Sequence, residues 1–261
     1  MDRKNIDKIA VTEEDRVLLA KLWDKIQSGI RKNILSHTGF LSPREQQMAQ
    51  FLFGDAPGLH FFGGHPDTER NMLVYLPDYL EESCLMEDDS PVICIHADFY
   101  KDDSPTHRDF LGALMGSGIT RECIGDIWVS SNGCDFFVTT EIADYILQNF
   151  ESAGRTSLKL SRIPLIQTNP PEERYTEIRD TVASVRLDSI LSSGFRISRS
   201  AATDYISAGR AAVDGLPCEK ADKAVNEGAK LSVRGLGKIR LYQIGHTTKK
   251  GRISVVLHRY E

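Results

Sequence analysis

VRLDSILSSGFRISRSAATDYISAGRAAVDG, residues 185–215, decides how the C-terminal third of this chain folds. Arg186-Leu187-Asp188 opens a short helix in which Leu187, Ile190 and Leu191 share one apolar face. Ser198 is placed to cap a second helix, whose Ala201, Ala202, Tyr205 and Ile206 face inward and which Gly209 terminates. A strand, RAAVDG, then turns at Asp214-Gly215, and a second strand, LSVRG, runs into Gly235-Leu236-Gly237-Lys238. Two short helices feeding a small sheet are expected here.

The module is basic inside an acidic chain. The 261 residues carry a net charge of −5, but from Val182 to Glu261 there are 14 Lys+Arg against 7 Asp+Glu, a local +7. The residues before Val182 therefore carry −12. An acidic body with a basic C-terminal module is a layout suited to binding a polyanion. Hydrophobic residues at 41% and charged residues at 26% are ordinary for a globular protein. No apolar run approaches the roughly 20 residues that cross a bilayer, and MDRKNIDKIAVTEEDR has no apolar signal segment. The five cysteines (Cys84, Cys94, Cys123, Cys134, Cys218) are odd in number and form no CxxC pair. Free thiols in a reducing cytoplasm are the expectation.

Upstream, the first segment is helical. In TEEDRVLLAKLWDKIQSGIRKN, Val17, Leu18, Leu22, Ile26 and Ile30 fall near helical spacing behind an acidic first turn. A second helix follows in SPREQQMAQFLFG, with Ser42 as cap, Pro43 at its first position and Gly54 at its end. The middle alternates strands (59–62, 71–76, 91–99, 124–130, 133–139, 156–163) with helices (106–117, 140–150). The run from PVICIHADF through the SSNG turn to TSLKLSRI predicts a β-α-β-β-α-β plait, with helices on one face of a mixed sheet. A Pro-rich break, QTNPPEERYTE (167–177), is followed by one more strand in YTEIRDTVAS. The fold class expected is α+β: a small helical N-terminal domain (1–55), a central α/β-plait domain that is RRM-like and ferredoxin-like (56–181), and a basic C-terminal domain (182–261).

The basic module resembles the S4 (αL-type) RNA-binding domain. RLD at 186–188, SR at 198–199, Ala202, Ile206, Gly209, VDG at 213–215, EG at 227–228 and SVRGLGK at 232–238 recur in that domain's order. The resemblance implies that the two-helix unit and its adjoining loops form a face for structured RNA. The chemistry suits that use. Ser198, Arg199 and Ser200 start the second helix, where unpaired amides and the positive dipole end favour phosphate. Arg186, Arg196, Arg210 and Lys238 add charge, and arginine can fork onto phosphate or stack on an exposed base. Arg234, within a strand, is read as structural. The TTKKGR tip (247–252) between the last two strands is read equally as a phosphate contact or a soluble edge.

Catalytic readings fail on missing partners. HRD at 107–109 evokes a kinase loop, but the metal-holding Asn that should follow is Leu114, and no DFG or VAIK accompanies it. GSG at 116–118 ends a helix, and the third glycine of a dinucleotide fingerprint falls at Arg121. Thr106 with Asp109 instead reads as a capping box, followed by an apolar face of Phe110, Leu111, Leu114 and Met115 and a glycine stop. His60, His65, Asp67 and Glu69 lie in a Gly/Pro loop without HExxH or cysteine-pair spacing, so no metal site is assigned.

With FFGGHPDTERNMLVYLP (61–77) and HRDFLGALMGSGITRECIGDI (107–127) added to the S4 pattern, nearly the whole chain resembles the YlmH family, bacterial S4-domain proteins also called ribosome-associated quality control factor P2. That resemblance implies binding to large ribosomal subunits that keep peptidyl-tRNA after stalling, through contacts to 23S rRNA and to the tRNA, in support of C-terminal tailing of the nascent chain. No catalytic residue, cofactor, metal or membrane partner is expected, and a monomer is expected. His107, Arg108 and Arg121 are read either as extra charge offered to RNA or as surface structure. Two other classes stay open: an RNA-modifying enzyme drawing on Asp109, Asp126 or His107, and a protein adaptor associated with cell division.

Overall fold

The chain divides inside its Pro-rich stretch into two units, Met1–Pro171 and Glu172–Glu261. The computed structural model describes residues 3–87, 90–100, 102–131, 133–168, 170–171 and 175–260. Asn132 of the SSNG turn, and Asn169 and residues 172–174 of the Pro-rich break, lie outside the described residues.

The first unit opens with α1 (Ile6–Ile9) and α2 (Glu13–Lys32). Thr12 and Asp15 form a reciprocal capping box at the start of α2, and a left-handed Asn33 ends it. Its buried stripe is Leu19, Leu22 and Ile26, spaced three and four apart, so Val17, expected on that face, is exposed. β1 (Ser36–His37) follows, then α3 (Pro43–Phe53), capped by Ser42 and Glu45 with Pro43 in its first turn. Arg44 grips the buried Asp15 with two hydrogen bonds of 2.8 and 2.6 Å, and that pairing holds the Asp15 carboxyl far below its ordinary range. β2 (Leu59–Phe62) and β3 (Met72–Tyr75) pair with β1 in the order β1-β3-β2. The N-terminal helices thus pack on a sheet of their own, through Leu19, Ile26, Met48, Leu52, Leu73 and Tyr75.

The plait follows as β4 (Val92–Asp98), α4 (His107–Gly116), β5 (Ile124–Ser130), β6 (Gly133–Thr139), α5 (Thr140–Asn149), the short pair β7 (Ser152–Ala153) and β8 (Thr156–Ser157), and β9 (Lys159–Ile163). Strand order is β5-β6-β4-β9, the β-α-β-β-α-β topology expected. Every neighbouring pair is antiparallel, so the sheet is not mixed: each helical crossover steps over one intervening strand that runs the other way. Alternation divides β4 cleanly. Ile93, Ile95 and Ala97 meet Phe110, Leu114 and Ile146 of the helices. Val92 and Cys94 point to the other face with Trp128 and Phe137, where Phe40, Met72, Val74 and Leu165 cover them. Plaits that bind single-stranded RNA stack bases on an open sheet face; here the centre of that face is filled by the protein's own side chains.

The second unit comprises β10 (Tyr175–Val182), α6 (Leu187–Phe195), α7 (Arg199–Ser207), β11 (Ala211–Val213), β12 (Leu216–Pro217), β13 (Lys230–Val233), β14 (Gly237–Thr247) and β15 (Ile253–Tyr260). They form one sheet, β10-β15-β14-β13-β11-β12. β10 pairs with β15 from Tyr175–Tyr260 to Val182–Ile253, so the strand expected after the Pro-rich break completes this sheet. α6 and α7 pack on one of its faces through Leu187, Ile190, Leu191, Ala202 and Ile206. Asp214 (φ 49°) and Gly215 (φ 83°) both take the positive φ that a two-residue hairpin turn demands, which joins β11 to β12.

Candidate nucleic-acid interface

The α6–α7 corner is organised by one buried carboxylate. Asp188, in the first turn of α6, accepts from the Ser189 amide at 2.9 Å and from Arg199 Nε at 2.8 Å. Arg186 Nε lies 3.5 Å from its other oxygen, beyond good hydrogen-bond length. Two guanidinium groups, one just before α6 and one at the start of α7, are therefore drawn to one anion, yet their side chains remain 40% and 52% exposed. A buried anion that orients two half-exposed cations makes a rigid, positively charged edge.

The backbone around them is not equivalent. The first amides of α6 are already taken, Leu187 by Lys223 O at 2.9 Å and Asp188 by Ala221 O at 3.0 Å. In α7 the Ser198 hydroxyl caps the Ala201 amide at 3.0 Å. The amides of Arg199 and Ser200 fall in the exposed first turn, where no intrahelical acceptor exists. Arg196, left-handed (φ 54°) and exposed, ends α6 two residues before that cap. Arg186, Arg196, Ser198, Arg199 and Ser200 thus belong to the two-helix corner.

The other sequence candidates are elsewhere. Arg210 follows the far end of α7, where its Nη2 donates to Arg234 O at 2.7 Å and its guanidinium lies 4.7 Å from the centre of the Tyr205 ring. Lys238 stands on β14 beside Ile239, and Ile239 faces α6, so alternation turns Lys238 to the opposite side of the sheet. In the TTKKGR tip, Arg252 donates to the hydroxyl and carbonyl of Thr181, while Lys249 and Lys250 are exposed.

In the first unit, His107 and Arg108 are exposed on the opening turn of α4, which Thr106 and Asp109 cap reciprocally. Arg121 is half-buried and donates to the carbonyls of Ile124 and, at 3.3 Å, Gly125. Burial, helped by the neighbouring Arg70 charge, brings its pKa down to about 10. Arg121 therefore serves its own loop. Arg70 does the same on a larger scale, reaching Ile124 O at 3.1 Å, Phe40 O at 2.8 Å and Arg121 O at 3.3 Å. Asp126 answers by accepting from the amides of Glu69 and Arg70 at 2.7 and 2.9 Å. Burial raises the Asp126 pKa despite those bonds. The two diagnostic stretches, 61–77 and 107–127, are thus locked together. Gly63 sits where a side chain would strike Thr68, Arg70 and Asn71, so the loop cannot carry a larger residue there.

The proposed acids and bases do not converge: Asp109 caps α4, and Asp126 anchors residues 69–70. His60 faces Glu82 at 3.6 Å and His65 faces Asp67 at 3.7 Å, each as a separate pair. A cavity of about 730 Å³ beside Arg70 and Arg121 mixes Lys21 and Lys25 with Glu45 and Glu141.

Two clusters escaped the sequence reading. His96 on β4 lies 2.6 Å from Asp135 through Nδ1 and 3.3 Å from Asp98 through Nε2. Burial works against its cation, but the Asp135 hydrogen bond and both carboxylate charges outweigh it and raise its pKa. The second is a stack of Tyr175, His258 and Tyr242 on three adjacent strands of the C-terminal sheet. Both depend on cross-strand register, which no short motif announces.

A family model described as a putative RNA-binding domain in YlmH matches residues 100–167, and an S4 domain model matches residues 185–231. The chain is 35% identical over 224 residues to the ribosome-associated protein quality control protein P2 of Bacillus subtilis strain 168, covering 85% of this chain and 86% of that protein. Among solved structures, the cell division protein ylmH from Streptococcus pneumoniae aligns with a TM-score of 0.48 at 20% identity, covering 61% of this chain and 96% of that one.

Proposed function

The chain belongs to the YlmH family of S4-domain proteins, and from that membership we propose that it is an RNA-binding, ribosome-associated quality control factor of the cytoplasm. In this reading it engages a large ribosomal subunit that still holds peptidyl-tRNA after stalling, touches 23S rRNA and the tRNA, and supports C-terminal tailing of the nascent chain. It works by binding and not by catalysis, as a monomer. The observation that carries the reading is the Arg186–Asp188–Arg199 corner, two half-exposed guanidinium groups fixed by one buried carboxylate beside the open first turn of α7.

The physical division of labour is simple. Charge neutralisation supplies affinity, and the fixed spacing of the guanidinium groups supplies selectivity for a folded RNA backbone or an unstacked base. His107 and Arg108, exposed at the start of α4, offer a further contact from the plait. The test compares large subunits carrying peptidyl-tRNA with empty ones. Wild-type protein is expected to co-sediment preferentially with the former, and Arg199→Ala to lose that preference together with tailing in cells. Equal binding to both kinds of subunit would refute the proposed substrate. Ribosomal RNA from a deletion strain is expected to keep all its modifications by mass spectrometry; a missing one would overturn the non-catalytic reading.

A further inference from the structure

The face of the C-terminal sheet opposite α6 and α7 carries a ladder of rings. Val255 and Leu257 of β15 enter the core, so alternation puts His258 on the outer face. There its ring lies between Tyr175 of β10, at 3.8 Å and 10° between planes, and Tyr242 of β14, at 4.2 Å and 18°. Tyr260 meets Tyr175 edge-on at 6.5 Å. The three stacked rings stand side by side across adjacent strands. His258 in the middle is buried, whereas the terminal tyrosines are 43% and 50% exposed. A stack of this kind leaves a flat aromatic face open at each end, which another planar group can extend.

Charge surrounds one end of the ladder. Register places Arg240 opposite His258, Lys230 opposite Arg240, and Lys238 opposite Ser232, all on this outer face. Among the described strand residues of this sheet, the carboxylates are Asp180 and Glu177. Asp180 accepts from Ser193 of α6 on the core side. Glu177 holds Arg179 at 2.7 Å and lies 3.8 Å from His258 Nε2. At the margin, Asp214 and Glu227 accept from the backbone amides of Lys230 and Ile244. Among the described residues, Arg240 Nε and His258 Nε2 are buried without a hydrogen-bond partner, which is rare for buried polar atoms.

We propose that this outer face is a second RNA site, specific for a single-stranded segment, in which a base extends the ring ladder at Tyr242 and the backbone runs along Lys230, Lys238 and Arg240. Single-stranded RNA fits because it presents unstacked bases next to phosphates, and the ring ladder and the cations beside it match those two groups. A paired helix offers phosphates but keeps its bases closed. The inference rests on the RNA-binding reading of this unit, but on residues separate from the α6–α7 corner.

The two sites separate in one experiment on the full-length chain, using fluorescence anisotropy with a short labelled oligouridine and with a base-paired RNA hairpin. Tyr242→Ala is expected to weaken oligouridine binding about 5- to 150-fold, the span of one lost base–aromatic stack, and to leave hairpin binding unchanged. Tyr242→Phe keeps the ring and is expected to bind as wild type; Lys238→Glu, which leaves the ladder intact, is expected to weaken oligouridine alone. Arg199→Ala is expected to weaken the hairpin and spare the oligouridine. Wild-type affinity for oligouridine in Tyr242→Ala and Lys238→Glu would overturn the proposal, as would a parallel loss of both RNAs in every variant. Failure of wild type to bind oligouridine while it binds the hairpin would refute this site and leave the helical corner standing.

Discussion

Arginine is put to two opposite uses in the two units. In the first, Arg70 and Arg121 turn inward and donate to the carbonyls of Phe40, Arg121, Ile124 and Gly125. In the second, Arg186 and Arg199 lean on Asp188 and keep about half of each side chain in solvent. Burial decides the outcome. A guanidinium surrounded by protein is a cross-link between backbone segments, and its donors are no longer offered to a ligand. A guanidinium held through one nitrogen by a carboxylate is oriented and still available. On the proposed reading, positive charge in a sequence marks an RNA surface where the fold leaves the side chain uncovered, and fixing it by a neighbour adds orientation.

The sharpest way to break this comparison is to remove an inward arginine. Arg70→Ala takes the donor from the Phe40 carbonyl, removes two further bonds to the Arg121 and Ile124 carbonyls, and leaves Asp126 without its neighbouring cation, at a cost of about 3–5 kcal/mol. Urea denaturation of the full chain should show a lower midpoint for the first unit and an unchanged C-terminal unit. Next comes Asp188→Ala, which removes the anchor of both outward arginines. Loss of its charged hydrogen bond should cost about 1.5–3 kcal/mol in the C-terminal unit, and RNA affinity should fall with it. Arg199→Ala leaves the buried Asp188 carboxylate without the same charged hydrogen bond, so stability should again fall by about 1.5–3 kcal/mol, with roughly tenfold weaker RNA binding. A melting curve and a binding isotherm on the same sample check this.

The smallest effect concerns His96. Its folded pKa is raised above the ordinary value of 6.5, so protonation is linked to folding. The added stability is fully present below pH 6.5 and is lost as pH rises through the folded pKa. His96→Gln should flatten that part of the stability–pH profile, measured by thermal denaturation across pH 5–9. A variant profile parallel to wild type would show that the Asp98–His96–Asp135 row does not titrate with folding.

Legibility in the sequence followed the range of the interactions. Local signals were accurate: Thr106/Asp109 is a capping box, Ser42 caps α3, Asp214-Gly215 is a hairpin turn, and Ser198 caps α7. Each needs only residues within four positions of one another. The plait was readable because its elements follow the chain order of its topology. Long-range pairing was not readable. Nothing near Tyr175 announces that its partner is His258, and nothing near Asp126 announces Glu69 and Arg70. The same gap hid the burial of Arg121 and the strand face of Lys238: charge is visible in a sequence, whereas burial and strand face depend on partners far along the chain. The RLD motif is the instructive middle case. Its spacing marks the helix, but its meaning, a buried aspartate holding an arginine eleven residues away, emerges only when α6 and α7 cross.

The central claim is that outward arginines of the C-terminal unit bind RNA while inward arginines of the first unit hold the fold. Affinity for large ribosomal subunits across a salt series tests it most directly, with wild type, Arg199→Ala and Arg121→Gln measured together. The account predicts that Arg199→Ala lowers the salt slope by about one unit, the loss of one phosphate contact, and that folded Arg121→Gln, which loses the charge, leaves the slope unchanged. A full wild-type slope in Arg199→Ala, or a slope reduced in Arg121→Gln, would contradict it.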